Sequence, residues 1–569
     1  MSNDSASSPA SKPFARTFLL LLIAAAAFIR VYNANSFYYS ADEAMHTGIA
    51  GASSLGEVLA FSRFEIHPPL LYILCHYWMM ISSDPAFVRG LPLLFGLLTI
   101  PLYYGIGRLL GDELTGLACA GLIAFSHGCI IQSYVVRQYM IFVFFISLAF
   151  YCYLRWRTQR SQTTLIGYGL FAALACLTHF SAIFDVACIA GFETARMLRR
   201  KAPGATLGSW MLVNAITGLA ALYVYDLWQP ILAPLKSYFA VYDIPSPKLL
   251  ISALKYPLAA CNYILPGQSD VVSCLILSGL AVCLLRKCGI SRAITLRALI
   301  ILAMIAFAFG LALMLTGIYA QLGTRRSLWL LPFLIPPAGW MIALSLRRAL
   351  SRILPASGSF HLQIGALMIF TAGCLLYHQQ QRYDDGSEYV WQKEVWDSFS
   401  DYMGTLGPAD LIITEKDDGI MLANLYPYMG GDAFSGKVMA RLAPYRGTRI
   451  LFNPYFPRNY STQVFLATLR EAKDRHLLDG ADRIVFMRMA WSESPLTDLM
   501  LCDALDKQVI TFPVFSPRVT RYDIERARAA IMLISKQALL ADVLPVTGKA
   551  RACLNGAHDM VPGFRHGTP

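Results

Sequence analysis

The chain has 569 residues, 56% of them hydrophobic and 15% charged, with a mean hydropathy of +0.48. Soluble domains carry about 25% charged residues, so this composition excludes an ordinary soluble enzyme and describes a polytopic membrane protein. The net charge of +12 does not argue for nucleic acid as a partner, because the basic residues stand in short clusters between apolar runs, the positive-inside pattern.

The N-terminus is Ser-rich and carries Lys12 and Arg16 before "TFLLLLIAAAAFI". That arrangement is similar to a signal peptide, but the run continues into Arg30, Val31 and Tyr32 without a polar cleavage region. The reading adopted is an uncleaved first helix. A spanning helix needs about 20 mostly apolar residues. On that scale the candidates lie near 15–33, 88–108, 114–132, 138–155, 163–178, 180–196, 208–228, 271–286, 297–318, 327–346 and 360–378. The run Leu70–Ile81, "LLYILCHYWMMI", is too short to span and reads as an interfacial or re-entrant helix. The expected fold class is therefore a polytopic α-helical membrane protein of roughly eleven transmembrane helices, followed by a C-terminal extracytoplasmic α/β domain.

Arginine and lysine set the expected orientation. Lys12 and Arg16, then Arg155, Arg157 and Arg160, then Arg196, Arg199, Arg200 and Lys201, then Arg286, Lys287 and Arg292, then Arg347, Arg348 and Arg352 all fall on one side. That side, with the N-terminus, is cytoplasmic. Long loops at 34–87 and 229–270, and everything after Gln379, fall on the other. The expected division is a membrane domain over 1–379 and an extracytoplasmic domain over 380–569. In the latter, "ADLIITEK", "TRILFNPYF", "DRIVFMRM" and "KQVITFPVF" read as buried strands, with "TQVFLATLREAKDRHL" as a helix. No GxGxxG or Walker-type loop accompanies them.

Of the thirteen cysteines, Cys119, Cys152, Cys176, Cys188, Cys283 and Cys374 lie inside apolar runs, where the residue is a small hydrophobe. No zinc-type spacing is present. Cys502 and Cys553 sit in the polar C-terminal part, and a disulfide between them is left open.

The unusual polar residues fall on the extracytoplasmic face: Asp42, Glu43 and His46 after the first helix, Glu65 and His67 in "FEIHPPLLY", Arg137 and Tyr139 in "VVRQYM", His179 and Asp185 around "LTHFSAIFD", Asp226, and Arg325 with Arg326. Each has an ordinary alternative. An Asp-Glu pair at a helix exit is commonly solvated, a His before two prolines marks a turn, and an arginine near headgroups snorkels. Together they form a two-signed cluster at one membrane surface, and ionisable groups at membrane depth are costly enough to mark function.

The order "SADEAMH", "HPPLLYILCHYW", "VRGLPLLFGLLTIPLYYGIGRLLG", "VVRQYM" and, loosely, "RRSLWLLPFLIPP" resembles the GT-C glycosyltransferases, nearest the protein O-mannosyltransferase and aminoarabinose transferase group. The resemblance implies an inverting hexosyl- or pentosyltransferase that moves a sugar from a polyprenyl-phosphate carrier to a hydroxyl or phosphate of a lipid, glycan or protein acceptor. It places the catalytic base at Asp42, with Glu43 positioning the base or the acceptor. Arg137, Tyr139, His67, Arg325 and Arg326 would bind the donor phosphate, since Arg presents a planar fork of donors. His67 stands where relatives have a Lys, which puts its grip on phosphate in doubt. The i, i+4 spacing of Asp42 and His46 would place both on one helix face, and with Glu65 or His67 they could hold a divalent metal ion. The polar face and the α/β domain suit a periplasm, so the expected location is a bacterial inner membrane, with the endoplasmic reticulum as the alternative.

A secondary transporter of a lipid-linked or anionic substrate is the alternative. Transporters place such charges near the midplane on broken helices, often within internal repeats. These charges sit at one surface, and no repeat is visible. A sensor or scaffold would leave Asp42, Glu43 and Arg137 without a shared purpose.

Overall fold

The apolar run after Arg16 becomes α1 (Ser11–Ala34), and one of its few polar residues, Arg30, decides how it packs. The structure, a computed structural model, describes residues 11–34, 41–63, 67–201, 203–240, 246–265, 273–274, 276–278, 296–315, 325–350, 362–369, 371, 373, 399, 401–414, 440–445, 447–452, 462–489, 499–500, 505–512 and 529–544. It divides into two units, one of residues Met1–Asn35 and Ser54–Asp385, the other of Ser36–Ser53 and Gly386–Pro569. The short segment after α1 is thus grouped with the C-terminal region.

In the first unit, α1 is followed by α3 (Leu55–Ser62), α4 (Leu70–Met79), α5 (Pro85–Leu110), α6 (Glu113–Ala124), α7 (His127–Ser133), α8 (Tyr139–Gln159), α9 (Gln162–Cys176) and α10 (Ala182–Arg199). Then come α11 (Gly204–Ala240), α12 (Ser246–Ile264), α13 (Leu296–Leu315) and, after a 3-10 turn at Arg325–Leu330, α14 (Leu331–Leu350). The short helix α2 (Ala41–Ala50) belongs to the second unit. Five helices among the described residues are long and apolar enough to cross a membrane: Pro13–Tyr32, Pro85–Leu110, Tyr139–Gln159, Gly204–Asp226 and Arg325–Ala349. Leu70–Met79, Glu113–Ala124, Gln162–Cys176 and Ala298–Ala312 are shorter apolar helices.

Two sequence expectations change. The run 114–132 is not one span: α6 ends at Ala124, and Ser126 starts α7 by accepting a hydrogen bond from the Cys129 N–H at 3.3 Å. A serine hydroxyl satisfies an amide that would otherwise lack a partner at a helix start, so hydropathy continues through a backbone break. The loop expected at 229–270 is largely helical, because α11 runs on to Ala240 and α12 follows. Most of the 271–286 candidate and nearly half of the 360–378 candidate, with Cys283, Cys374, Cys502 and Cys553, lie outside the described residues.

Every residue of α6 is buried. A helix apolar all round belongs at the centre of a bundle, and α1, α5 and α14 pack around this one. Close approach uses small residues: a Cβ at Gly339 of α14 would come within 3.2 Å of the Cys119 Cα of α6. Arg30 closes the same core. It is fully buried; its Nη1 donates to the Ala124 carbonyl at 2.9 Å, its Nη2 to Ile123 at 3.4 Å, and its Nε to the Ser133 hydroxyl at 3.1 Å. The last carbonyls of a helix have no partner inside it, and the guanidinium supplies one while tying α1, α6 and α7 together.

The C-terminal part of the second unit is a six-stranded sheet in the order β2-β3-β1-β4-β6-β5. Its strands are β1 (Asp410–Thr414), β2 (Arg441–Tyr445), β3 (Thr448–Phe452), β4 (Arg483–Met489), β5 (Gln508–Phe512) and β6 (Ala529–Ser535). β1 runs parallel to β3 and β4, and the outer pairings are antiparallel. Gly447, at φ +87°, turns β2 into β3, a backbone state open to glycine. Between β3 and β4, α15 (Thr462–Asp474) buries Phe465, Leu466, Leu469 and Ala472 against the sheet core. The four strands and the helix read from sequence are present; β2 and β6 are additional.

Candidate functional site

The site in the first unit is built around the turn between α9 and α10. His67 precedes Pro68 and Pro69, which lack the N–H that a first helical turn leaves unpaired, and α4 starts at Leu70. The Leu70 N–H donates to the Leu177 carbonyl at 3.0 Å, fixing the His-Pro-Pro segment to the end of α9. Gln138 Nε2 lies 3.0 Å from His67 Nδ1. An amide nitrogen only donates, so His67 accepts at Nδ1 and a neutral ring carries its proton on Nε2.

Arg137 is buried in a tight turn in which its N–H donates to the Val135 carbonyl at 2.7 Å. Tyr139 opens α8. The Arg137 guanidinium carbon lies 5.5 Å from the centre of the Tyr139 ring and that of Arg325 lies 6.0 Å from it. Arg325 Nε donates to the Tyr139 hydroxyl at 3.2 Å. Cations this close to a ring face are attracted by its quadrupole. His179 is buried against the same tyrosine, ring centres 5.1 Å apart, and stacks on His67 at 6.2 Å and Phe180 at 4.4 Å. Burial, and then the positive charge of Arg326, Arg137 and Arg325, push the His179 pKa down to about 3. It is a neutral imidazole beside three cations.

The structure therefore brings together His67, Arg137, Tyr139, Arg325 and Arg326. It adds Gln138 and His179. Gln138 stands inside "VVRQYM", but a glutamine carries no charge and its role appears only through its contact with His67. The cluster holds fixed positive charge and neutral hydrogen-bonding groups, a chemistry suited to an anion.

Asp42, Glu43 and His46 all lie on α2, in the second unit. Asp42 is partly buried, Glu43 and His46 are buried, and both carboxylates sit in the first turn, where the helix dipole favours negative charge. Glu65 lies outside the described residues. Among the described residues no group of three His, Cys, Asp or Glu side chains converges to hold a metal ion; Asp42 and His46 are the two expected ligands that the structure describes. Asp185 is fully buried, and its carboxylate oxygens have no hydrogen-bond partner among the described residues. Asp226 is exposed.

The first unit is thus a helical bundle that gathers arginines against Tyr139 and His179, and the second contains a mixed six-stranded sheet. Residues 77–202 match the family model described as dolichyl-phosphate-mannose-protein mannosyltransferase. ArnT from Cupriavidus metallidurans in its apo state shares the fold, with a TM-score of 0.54 at 11% identity over 91% of this chain and 98% of that one. ArnT bound to undecaprenyl phosphate superposes with a TM-score of 0.49 at 12% identity, over 90% and 97% of the two chains. AglB, an oligosaccharyltransferase from Archaeoglobus fulgidus solved with an inhibitory peptide and a dolichol-phosphate, gives 0.49 at 12% identity over 84% and 69%. No curated protein sequence matches the chain. The family match over residues 77–202 and the fold shared with ArnT agree with the GT-C resemblance.

Proposed function

We propose that the protein transfers a hexose or pentose from a polyprenyl-phosphate carrier to an acceptor hydroxyl outside the cytoplasm, with inversion at the anomeric carbon. The observation that carries this reading is the convergence of Arg137 and Arg325 on Tyr139, with these two and Arg326 beside the neutral His179. Such an array is charged before the reaction begins, so it needs no reorganisation as charge develops on the leaving phosphate. The undecaprenyl phosphate bound to ArnT and the dolichol-phosphate bound to AglB supply the kind of carrier.

In the proposed step the acceptor oxygen bonds to the anomeric carbon as the carbon–oxygen bond to phosphate breaks. The bonding pair leaves with the polyprenyl phosphate, whose charge meets the arginines. The acceptor proton passes to the Asp42 carboxylate as general base, and Glu43 positions the acceptor. Tyr139 and His67 add hydrogen bonds to the phosphate. A hydroxyl of a lipid, a glycan or a protein fits this scheme, and the peptide bound to AglB illustrates the last of these. The arginine distribution favours a cytoplasmic N-terminus, and an α/β unit on the opposite side suits the periplasm of a bacterial inner membrane.

The test is reconstitution of the full chain in lipid with radiolabelled polyprenyl-phosphate sugars and a cell-extract acceptor pool, following release of polyprenyl phosphate. Release is expected from wild type, with Asp42→Asn retaining carrier binding but losing turnover. No release with any carrier from folded protein rejects the transferase, and unchanged turnover in Asp42→Asn rejects the base.

A further inference from the structure

The arginine cluster around Tyr139 has a counterpart at the far end of the same helices. α8 begins at Tyr139 and carries Arg157 near its C-terminus; α10 starts three residues after His179 and ends at Arg199. At 1.5 Å per residue these separations are each about 27–30 Å, close to the thickness of a bilayer core. At that far end a cavity of about 690 Å³ lies between α10 and α13. Arg157, Arg196, Arg199 and Arg200 line it on one side, and Ile301 and Ile305 of α13 on another. Its inner limit is Phe309, whose ring packs edge-on to Phe184 with centres 5.4 Å apart.

Charge in this cavity is unbalanced. Glu193, fully buried, is bound by Arg196 Nε at 2.8 Å and approached by Arg157 Nε at 3.6 Å, and it accepts from the Tyr153 hydroxyl at 3.0 Å. Among the described residues one carboxylate faces these four guanidinium groups and cannot neutralise them, and Arg199 and Arg200 are exposed. The apolar wall is open as well, since Ile301 and Ile305 are 38% and 42% exposed. An ordinary cytoplasmic basic cluster would face water. This one rims a groove whose other wall is hydrocarbon.

We propose that this groove is a second lipid site, holding the phosphate head of an anionic membrane lipid among Arg157, Arg196, Arg199 and Arg200 with an acyl or prenyl chain along Ile301 and Ile305. The arginine fork suits phosphate, and the length of the cavity along α10, from Ala187 to Arg200, is about 20 Å, enough for a chain beneath a headgroup. The groove is distinct from the proposed donor site and does not depend on the transferase reading.

The test measures lipid retention by the purified full chain in detergent, using native mass spectrometry with phosphatidylglycerol, phosphatidylcholine or inorganic phosphate added. Two folded variants, checked by thermal unfolding, are compared with wild type. Arg199→Gln/Arg200→Gln removes the two exposed cations and leaves the Glu193 network intact, and Ile305→Trp fills the apolar wall without changing charge. Phosphatidylglycerol is expected to be retained by wild type and to bind roughly tenfold more weakly to each variant, with phosphatidylcholine weaker than phosphatidylglycerol throughout. Equal retention of the two lipids, or unchanged retention in either variant, overturns the proposal. Displacement of the lipid by millimolar phosphate, with Ile305→Trp behaving as wild type, assigns the groove to free phosphate instead and also overturns it.

Discussion

Arg325 donates from Nε to the hydroxyl of Tyr139 at 3.2 Å, across 186 residues of sequence. The bond joins the start of α8 to the 3-10 turn that leads into α14, so two distant segments hold one guanidinium in place. Nε is the inner nitrogen of the fork, and its donation to Tyr139 fixes the plane in which the remaining N–H groups lie. Tyr139→Phe keeps the ring under Arg137 and Arg325 and removes only the hydroxyl. A typical hydrogen bond contributes about 0.5–1.5 kcal/mol, more when one partner is charged. Steady-state kinetics on Tyr139→Phe are expected to show kcat/KM for the carrier-linked sugar reduced about tenfold. Arg325→Lys keeps the charge but loses the fork, and the expected fall is larger, about a hundredfold. Equal activity in both variants and wild type would remove these residues from the donor site.

Arg30 makes a second prediction, in the packing rather than the chemistry. Its guanidinium reaches the terminal carbonyls of α6 and the Ser133 hydroxyl from inside the bundle. Arg30→Met has nearly the same length and no donor, so the Ile123 and Ala124 carbonyls lose their arginine donors. A hydrogen bond to a charged group contributes about 1.5–3 kcal/mol, so thermal unfolding in detergent is expected to show a lower Tm. Gly96→Ala tests the same junction, because a Cβ there would come within 3.0 Å of the Ser133 Cβ. A Tm within a degree of wild type for Arg30→Met would show that the clamp contributes little.

Much of this architecture is visible in sequence for a local reason. Hydrophobic run length and period are properties of contiguous residues, so α1, α5 and α8 could be placed from hydropathy, and the apolar strands "DLIIT" and "RIVFMRM" from their composition. The parts that were not legible depend on contacts remote in sequence or on single polar atoms. Arg30 reads as a residue near a helix end, yet its partners are 93, 94 and 103 residues away. Ser126 sits in an apolar run and breaks it through one hydroxyl. In the candidate site, the Arg and Tyr of "VVRQYM" are legible from their charge and from the family resemblance. The contact of Gln138 with His67, 71 residues apart, requires the α4 and α8 starts to meet. β6 carries few polar residues among its seven and is preceded by an arginine-rich stretch, so it lacked the alternation that marks a half-buried strand.

A divalent ion at Asp42 is an expectation of the sequence that His46 isolates. Asp42 has two expected roles, base and ligand, so its substitution cannot distinguish them. His46 lies one turn further along α2 on the same face. If the pair holds an ion with Glu65, His46→Ala is expected to weaken Mn2+ binding, read by electron paramagnetic resonance on the purified chain, and to lower turnover in a way that excess Mn2+ restores. Wild type would lose activity in EDTA under the same conditions. Turnover unaffected by EDTA and by His46→Ala would leave Asp42 as a base alone and discard the metal.

Asp410 and Arg483 give a prediction for the α/β unit. They are opposite residues at the starts of the parallel strands β1 and β4, paired through Nε–Oδ1 at 2.6 Å and Nη2–Oδ2 at 3.0 Å. Asp410 also accepts from the Gly407 N–H at 2.8 Å. The bidentate arginine, chiefly, holds the Asp410 carboxyl below its ordinary value. A depressed pKa in the folded state means that the unfolded state binds the proton more readily. The pair therefore stabilises the fold fully above the unfolded pKa, near 3.9, and this stabilisation is lost as pH falls through the lower folded value. Because the Arg483 side chain is about half exposed, at 49%, solvent screening keeps the effect modest. In unfolding experiments on the full chain, followed by a probe in the C-terminal unit, Asp410→Asn is expected to lower stability at pH 7. The gap from wild type should then narrow as pH is taken from 5 to 2. A gap of constant size across that range would mean that the carboxylate's charge contributes nothing and that the pair acts only through shape.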